Sequence, residues 1–141
     1  MTVNKDKVHL LVGQIAEAVG ELERYGRVQP EGLVSDKEKL GNIKYQFVVA
    51  AEACIDLCNH IAAKGLYAAP ENYSRCFEVL LEHKVIGQAL AADMAALAKF
   101  RNLLVHLYWK VDNYQVVLNL KKTSVLKEFA MAISAYAAAN R

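Results

Sequence analysis

The sequence predicts an all-α protein, an antiparallel up-and-down helical bundle of about five to six helices, and three observations carry that expectation. Apolar residues recur three and four positions apart over long stretches, and no stretch sustains the period-two alternation of a half-buried strand. Only two prolines and seven glycines occur in 141 residues, which leaves few interruptions to helical segments. The hydrophobic fraction is 55% and rich in alanine, which suits long helices in close contact. A chain of this length reads as a single domain spanning residues 1–141 and buries a core without covalent staples.

Each element follows from local signals. Asn4 is placed to cap a first helix running to about Val28, with Val8, Leu11, Val12, Ile15, Val19 and Leu22 on its inner face. Gly26 and the run Gln29-Pro30-Glu31-Gly32 stop it. Ser35 followed by Glu38 reads as a capping box that opens a second helix. Leu40, Ile43, Phe47, Val48, Ala51, Ile55, Leu57 and Ile61 sustain one face of it to Lys64, a length of about 45 Å. Residues Gly65 to Pro70 form a break. A shorter third helix starts near Ser74, carries Cys76, Phe77, Val79 and Leu80, and ends near His83. After a turn to Gly87, a fourth helix carries Leu90, Met94, Leu97 and Phe100 into the stretch Phe100–Asp112. Asp112 caps a short segment from Asn113 to Leu120. Thr123 or Ser124 opens the last helix, with Leu126, Phe129, Ile133 and Tyr136 inward and an alanine-rich end that frays.

Composition narrows the functional classes. A net charge of +2 permits an RNA or acidic partner but is far below that of a dedicated nucleic-acid coat protein. Cys54, Cys58 and Cys76 are odd in number and no secretory signal opens the chain, so a reduced, cytoplasmic protein is expected. Glu52, Asp56 and Asp93 break the most apolar runs, so no membrane span is expected. Cys54 and Cys58, four apart, lack the further ligands a zinc site needs and read as inert buried thiols. Asp56 and His60 have the spacing of a metal clamp but no second pair, and read as a surface hydrogen bond. His9 and His83 stand alone at helix ends. No glycine-rich phosphate loop and no serine nucleophile elbow is present.

Chemistry therefore concentrates in Phe100–Asp112, FRNLLVHLYWKVD. On one continuous helix, Phe100, Leu103, Leu104, Leu107 and Val111 form an apolar stripe. Arg101, Asn102, His106 and Tyr108 spread over the opposite side, with Asn102 and His106 four apart and Arg101 and Tyr108 seven apart. Guanidinium, amide, imidazole and phenol suit an anionic ligand, and the imidazole adds proton transfer. The plain alternative is an ordinary solvated face, but such faces carry Lys and Glu rather than large aromatics such as Tyr108 and Trp109.

Arg101-Asn102-Leu103-Leu104-Val105-His106-Leu107-Tyr108, continued by Trp109-Lys110-Val111-Asp112, resembles the R-N-x-x-V-H-x-Y signature of HEPN-domain proteins, in the HepT-like toxin branch. The resemblance extends over nearly the whole chain, through Tyr45-Gln46, Glu52-Ala53 and Pro70-x-x-Tyr73. It implies a homodimeric, metal-independent endoribonuclease with no cofactor, the toxin of a type VII-like toxin–antitoxin pair. Arg101 and His106 would be its catalytic pair, with Asn102 supporting. The resemblance also implies a minimal nucleotidyltransferase antitoxin that silences the toxin by adding AMP to Tyr108. Arg101 and His106 lie about 140° apart on an ideal helix, so a bent helix, a straddling substrate or a second subunit must unite them. Pairing of two copies across a shared groove is favoured. The rival expectation is a non-catalytic helical partner that presents a groove to a nucleotidyltransferase.

Overall fold

The computed structural model describes residues 3–139. Among them there is no strand, and seven α-helices follow one another: α1 (Lys5–Tyr25), α2 (Pro30–Val34), α3 (Lys37–His60), α4 (Tyr73–Glu82), α5 (Gln88–His106), α6 (Asn113–Leu118) and α7 (Thr123–Ala139). Helix α3, about 36 Å long at the usual rise, is the central strut and touches each of the other six.

Hydrogen bonds at helix ends fix the directions. The Asn4 backbone N–H, at the start of α1, donates to His60 Nε2, at the end of α3, at 2.9 Å. At the opposite end Asn42 Nδ2 donates to the Tyr25 hydroxyl, also at 2.9 Å. Helices α1 and α3 are therefore antiparallel. Helix α7 opposes α1 by the same logic: Lys127 in its first turns pairs with Glu23, and the Tyr136 hydroxyl near its end donates to the Gly65 carbonyl at 3.3 Å. A side chain at Gly65 would crowd this contact, because a Cβ would stand 2.8 Å from that hydroxyl and 3.3 Å from Val3 Cγ2. The core gathers Ile15, Leu22, Leu33, Ile43, Leu57, Leu80, Met94, Phe129 and Ile133, all fully enclosed, with Phe77 and Phe129 edge to face at 5.9 Å.

Several local expectations are corrected. Helix α1 ends at Tyr25, and the segment expected only as a break forms α2, with Pro30 in its first turn, where a missing N–H costs nothing. Ser35 does not cap α3. Its hydroxyl donates to the Glu31 carbonyl at 2.9 Å, closing α2, and Asp36, in extended conformation, accepts from the Lys39 N–H instead. Helix α3 leaves α-geometry after His60 and finishes in a π-helical turn, Ile61–Gly65. Helix α4 starts at Tyr73, next to the expected Ser74, with Asn72 capping it through the Arg75 N–H. Helix α7 is helical to Ala139, and the expected fraying of the chain end falls in part on residues 140–141, outside the described residues.

The cysteines and His60 also differ from expectation. Cys58 and Cys76 are joined as a disulfide that ties α3 to α4, and Cys54 alone remains a free, buried thiol. Burial pushes that thiol well above the ordinary range. Spacing along one helix could not reveal the bridge, because Cys76 reaches Cys58 only through the packing of α4. His60 does not pair with Asp56, which is exposed. It is buried and accepts the Asn4 N–H.

That bond makes His60 a pH-sensitive latch. Burial lowers its pKa below the ordinary imidazole value, and the charges of Lys7 and Lys64 lower it further. The folded state thus favours neutral imidazole. Its contribution is fully present above about pH 6.5, the unfolded value, and is lost as pH falls through the folded pKa. The melting temperature is expected to fall between about pH 7 and about pH 5, more steeply than in His60→Gln, whose amide also accepts a hydrogen bond. Equal slopes in differential scanning fluorimetry would remove His60 from the acid response.

Candidate active site at the end of helix α5

Phe100 fixes the last turns of α5 against α3, its ring meeting Phe47 edge to face at 5.3 Å. The next residue, Arg101, turns back onto α3. Its Nε donates to Glu52 Oε1 at 2.6 Å, and Nη2 stands beside the same oxygen. Nη1 donates to Asn102 Oδ1 at 2.7 Å. The Asn102 amide Nδ2 then donates to the Tyr73 hydroxyl, at the start of α4. Four polar side chains from three helices thus form one chain, Glu52–Arg101–Asn102–Tyr73. The Arg101 side chain keeps 21% of its surface in solvent and Glu52 keeps 41%, so both are braced at a rim.

His106 is the last residue of α5 and is exposed. Its ring forms no side-chain hydrogen bond or ion pair among the described residues. The helix stops at this point, where the sequence predicted continuity through Asp112. Leu107 departs to φ −131°, ψ 37°, and Tyr108–Lys110 form a short 3-10 turn, closed by the Lys110 N–H on the Leu107 carbonyl at 2.8 Å. Successive side chains on an α-helix diverge by about 100°. Freed from that geometry, Tyr108 and Trp109 meet edge to face at 5.5 Å. Tyr108 therefore does not lie on the helical row of Arg101. It projects at 70% exposure, with Trp109 at 66%. Asp112 does cap α6, accepting from the Tyr114 N–H.

The expected residues are thus divided. Arg101 and Asn102 are locked together on the α3 side, whereas His106 and Tyr108 stand in solvent around the helix end. Asn102, given a supporting role by the resemblance, links Arg101 to Tyr73. Glu52 and Tyr73 are the site residues that motif reading did not assign. Glu52 interrupts the apolar run Phe47–Leu57, but so does the exposed Asp56, and position in the run alone does not single out Glu52. Beside the Phe47–Phe100 contact runs an apolar groove of about 290 Å³, lined by Leu97, Leu103 and Leu126 with Lys122 at its edge.

Among the described residues, no three His, Cys, Asp or Glu side chains gather as a metal-binding cluster. No helix among them is long and apolar enough to cross a membrane.

Comparison with known proteins bears on this arrangement. A stretch of 69 residues is 30% identical to the mRNA nuclease HepT of Shewanella oneidensis, covering 49% of this chain and 51% of that protein. The match thus spans about half the length of that curated relative. The fold matches that of the tri-AMPylated Shewanella oneidensis HEPN toxin solved in complex with MNT antitoxin, with a TM-score of 0.84 at 22% identity over 92% of this chain and 98% of that one. It also matches YutE, a cytosolic protein of unknown function from Bacillus subtilis, with a TM-score of 0.81 at 18% identity over 95% and 90% of the two chains. The sequence model described as Ribonuclease HepT-like matches residues 15–133, from the middle of α1 to the middle of α7, and the chain belongs to that family.

Proposed function

We propose that this protein is the endoribonuclease toxin of a toxin–antitoxin pair, with Arg101 and His106 as its catalytic residues. The carrying observation is the end of α5. There a guanidinium braced by Glu52 and Asn102 and an imidazole open to solvent occur five residues apart, in a chain of the HepT-like family.

RNA brings its own nucleophile. The ribose 2′-hydroxyl beside the scissile phosphate loses its proton and forms a bond to phosphorus, while the bond to the 5′ oxygen breaks and that oxygen takes up a proton. An imidazole can both take up and give a proton, so His106 serves as the proton-transfer group. Arg101 remains cationic and faces the non-bridging oxygens, where negative charge accumulates. The reading requires no metal ion. Arg101 is held toward α3 and His106 stands at the helix end, so two copies related by a two-fold axis would complement each other, one imidazole acting as base and the other as acid. Half-buried Phe100, Leu103 and Leu104 and exposed Val105 supply apolar surface beside the motif for that pairing. The partner is a minimal nucleotidyltransferase antitoxin, and the exposed hydroxyl-bearing ring of Tyr108 is its AMP acceptor. AMP there adds bulk and negative charge beside the site, which repels RNA phosphate. The pair acts in the cytoplasm.

Growth after induction of the wild-type chain alone tests the reading, beside His106→Ala and Arg101→Ala, with total RNA examined in each. Arrest with RNA loss in the wild type only is the expected result. Equal growth with intact RNA, the proteins folded and Tyr108 unmodified, favours a non-catalytic partner of a nucleotidyltransferase instead. Tyr108→Phe is expected to keep most of the nuclease activity and to arrest growth even when the antitoxin is co-expressed. Silencing of that variant would move the modification elsewhere.

A further inference from the structure

We propose that Glu52 is the positioning residue for Arg101, holding one edge of the guanidinium so that its remaining donors face the RNA phosphate. The inference rests on the nuclease reading above and extends it to a residue on another helix.

A guanidinium carries five N–H groups in a planar fork. The Glu52 carboxylate oxygen takes the edge formed by Nε and Nη2. Asn102 Oδ1 takes one hydrogen of Nη1. Two N–H groups stay uncommitted, one on each terminal nitrogen, which is the number that bidentate binding of two phosphate oxygens uses. An arginine at a rim would otherwise sample many rotamers, and binding RNA would have to order it. Glu52 does that ordering before substrate arrives. Asn102 is in turn held by Tyr73, so α3 and α4 together aim a side chain of α5.

The same carboxylate offsets the charge of Arg101. Glu52 therefore weakens the general attraction of RNA to the site while fixing the geometry used in the reaction, and these two effects have opposite signatures. Losing the negative charge should strengthen RNA binding, whereas losing orientation should slow turnover, since small misplacements of a reacting group cost up to about a hundredfold. A merely structural residue does not separate the two.

The test measures kcat and KM for cleavage of a mixed-sequence single-stranded RNA by wild type, Glu52→Gln, Glu52→Ala, Arg101→Ala and His106→Ala. Circular dichroism melting is recorded for each. Glu52→Gln keeps the length and an acceptor oxygen, and is expected to lose about tenfold in kcat with KM lowered. Glu52→Ala is expected to lose about a hundredfold in kcat, again with KM lowered. Wild-type kcat in both variants overturns the proposal. So does a loss of activity with unchanged KM that follows the fraction unfolded, which would make Glu52 only structural. If Arg101→Ala and His106→Ala cut like wild type, the nuclease assignment of the site fails. If those two are inactive and the Glu52 variants are normal, only the role of Glu52 fails.

Discussion

Replacing His106 by alanine is expected to slow RNA cleavage by about 10²- to 10⁴-fold, the range that a positioned general acid–base group supplies. His106 ends α5 and is exposed, so its removal opens no cavity and strands no buried donor. The variant should melt with the wild type, within the small shifts usual for surface positions. Cleavage of a fluorescent RNA by purified protein, with EDTA present throughout, gives the measurement. EDTA should leave the wild-type rate unchanged, because the ribose hydroxyl and the imidazole account for the nucleophile and the proton. A His106→Ala protein that cuts at wild-type rate would remove the imidazole from the mechanism. A wild-type rate abolished by EDTA and restored by a divalent ion would overturn the metal-free route.

The largest stability effect is expected at Phe129→Ala, a loss of about 3–5 kcal/mol. Phe129 has no exposed surface, and its ring meets Phe77 edge to face at 5.9 Å, so α7 and α4 lose a shared contact. Truncation removes transfer free energy and leaves a void that rigid helices on several sides fill poorly. Urea unfolding followed by circular dichroism measures it, with Met131→Ala on the same helix as the comparison. Met131 is 72% exposed, and its truncation should change stability by about 0.5 kcal/mol or less. Equal effects at the two positions would mean that α7 does not dock as described.

Much of the bundle is legible in the sequence because amphipathic period and capping chemistry are local. Asn4 and Asp112 cap where their side chains predict, and Val8, Leu11, Ile15, Val19 and Leu22 bury the face that their spacing assigns. The misreadings arise where two local solutions compete or where a distant element decides. Ser35 and Asp36 both can cap, and the hydroxyl is claimed by α2. Helical periodicity through Phe100–Asp112 is compatible with one unbroken helix, but Leu107 leaves helical geometry and the two aromatics pack on each other. Glu52 lies 49 positions from Arg101, and Cys76 lies 18 from Cys58. No spacing rule within a helix reaches either partner. The motif names Arg101, Asn102 and His106; it does not name Glu52 and Tyr73, which the packing of α3 and α4 brings to Arg101 and Asn102.

The end of α5 at His106 has a further consequence. A modifying enzyme must bring the tyrosine oxygen into line with its nucleotide, and a residue in mid-helix resists this because the backbone around it is hydrogen-bonded on both sides. Extracting such an acceptor would mean breaking several helical bonds first. Tyr108 stands beyond the last α-helical turn, so its presentation needs no unwinding of α5. On the proposed assignment, a modifying enzyme would engage Tyr108 in this turn while Arg101 stays bonded to Glu52 of α3. On the role proposed for Tyr108, AMP added to this 70% exposed ring would sit beside the site without displacing a buried side chain of the bundle.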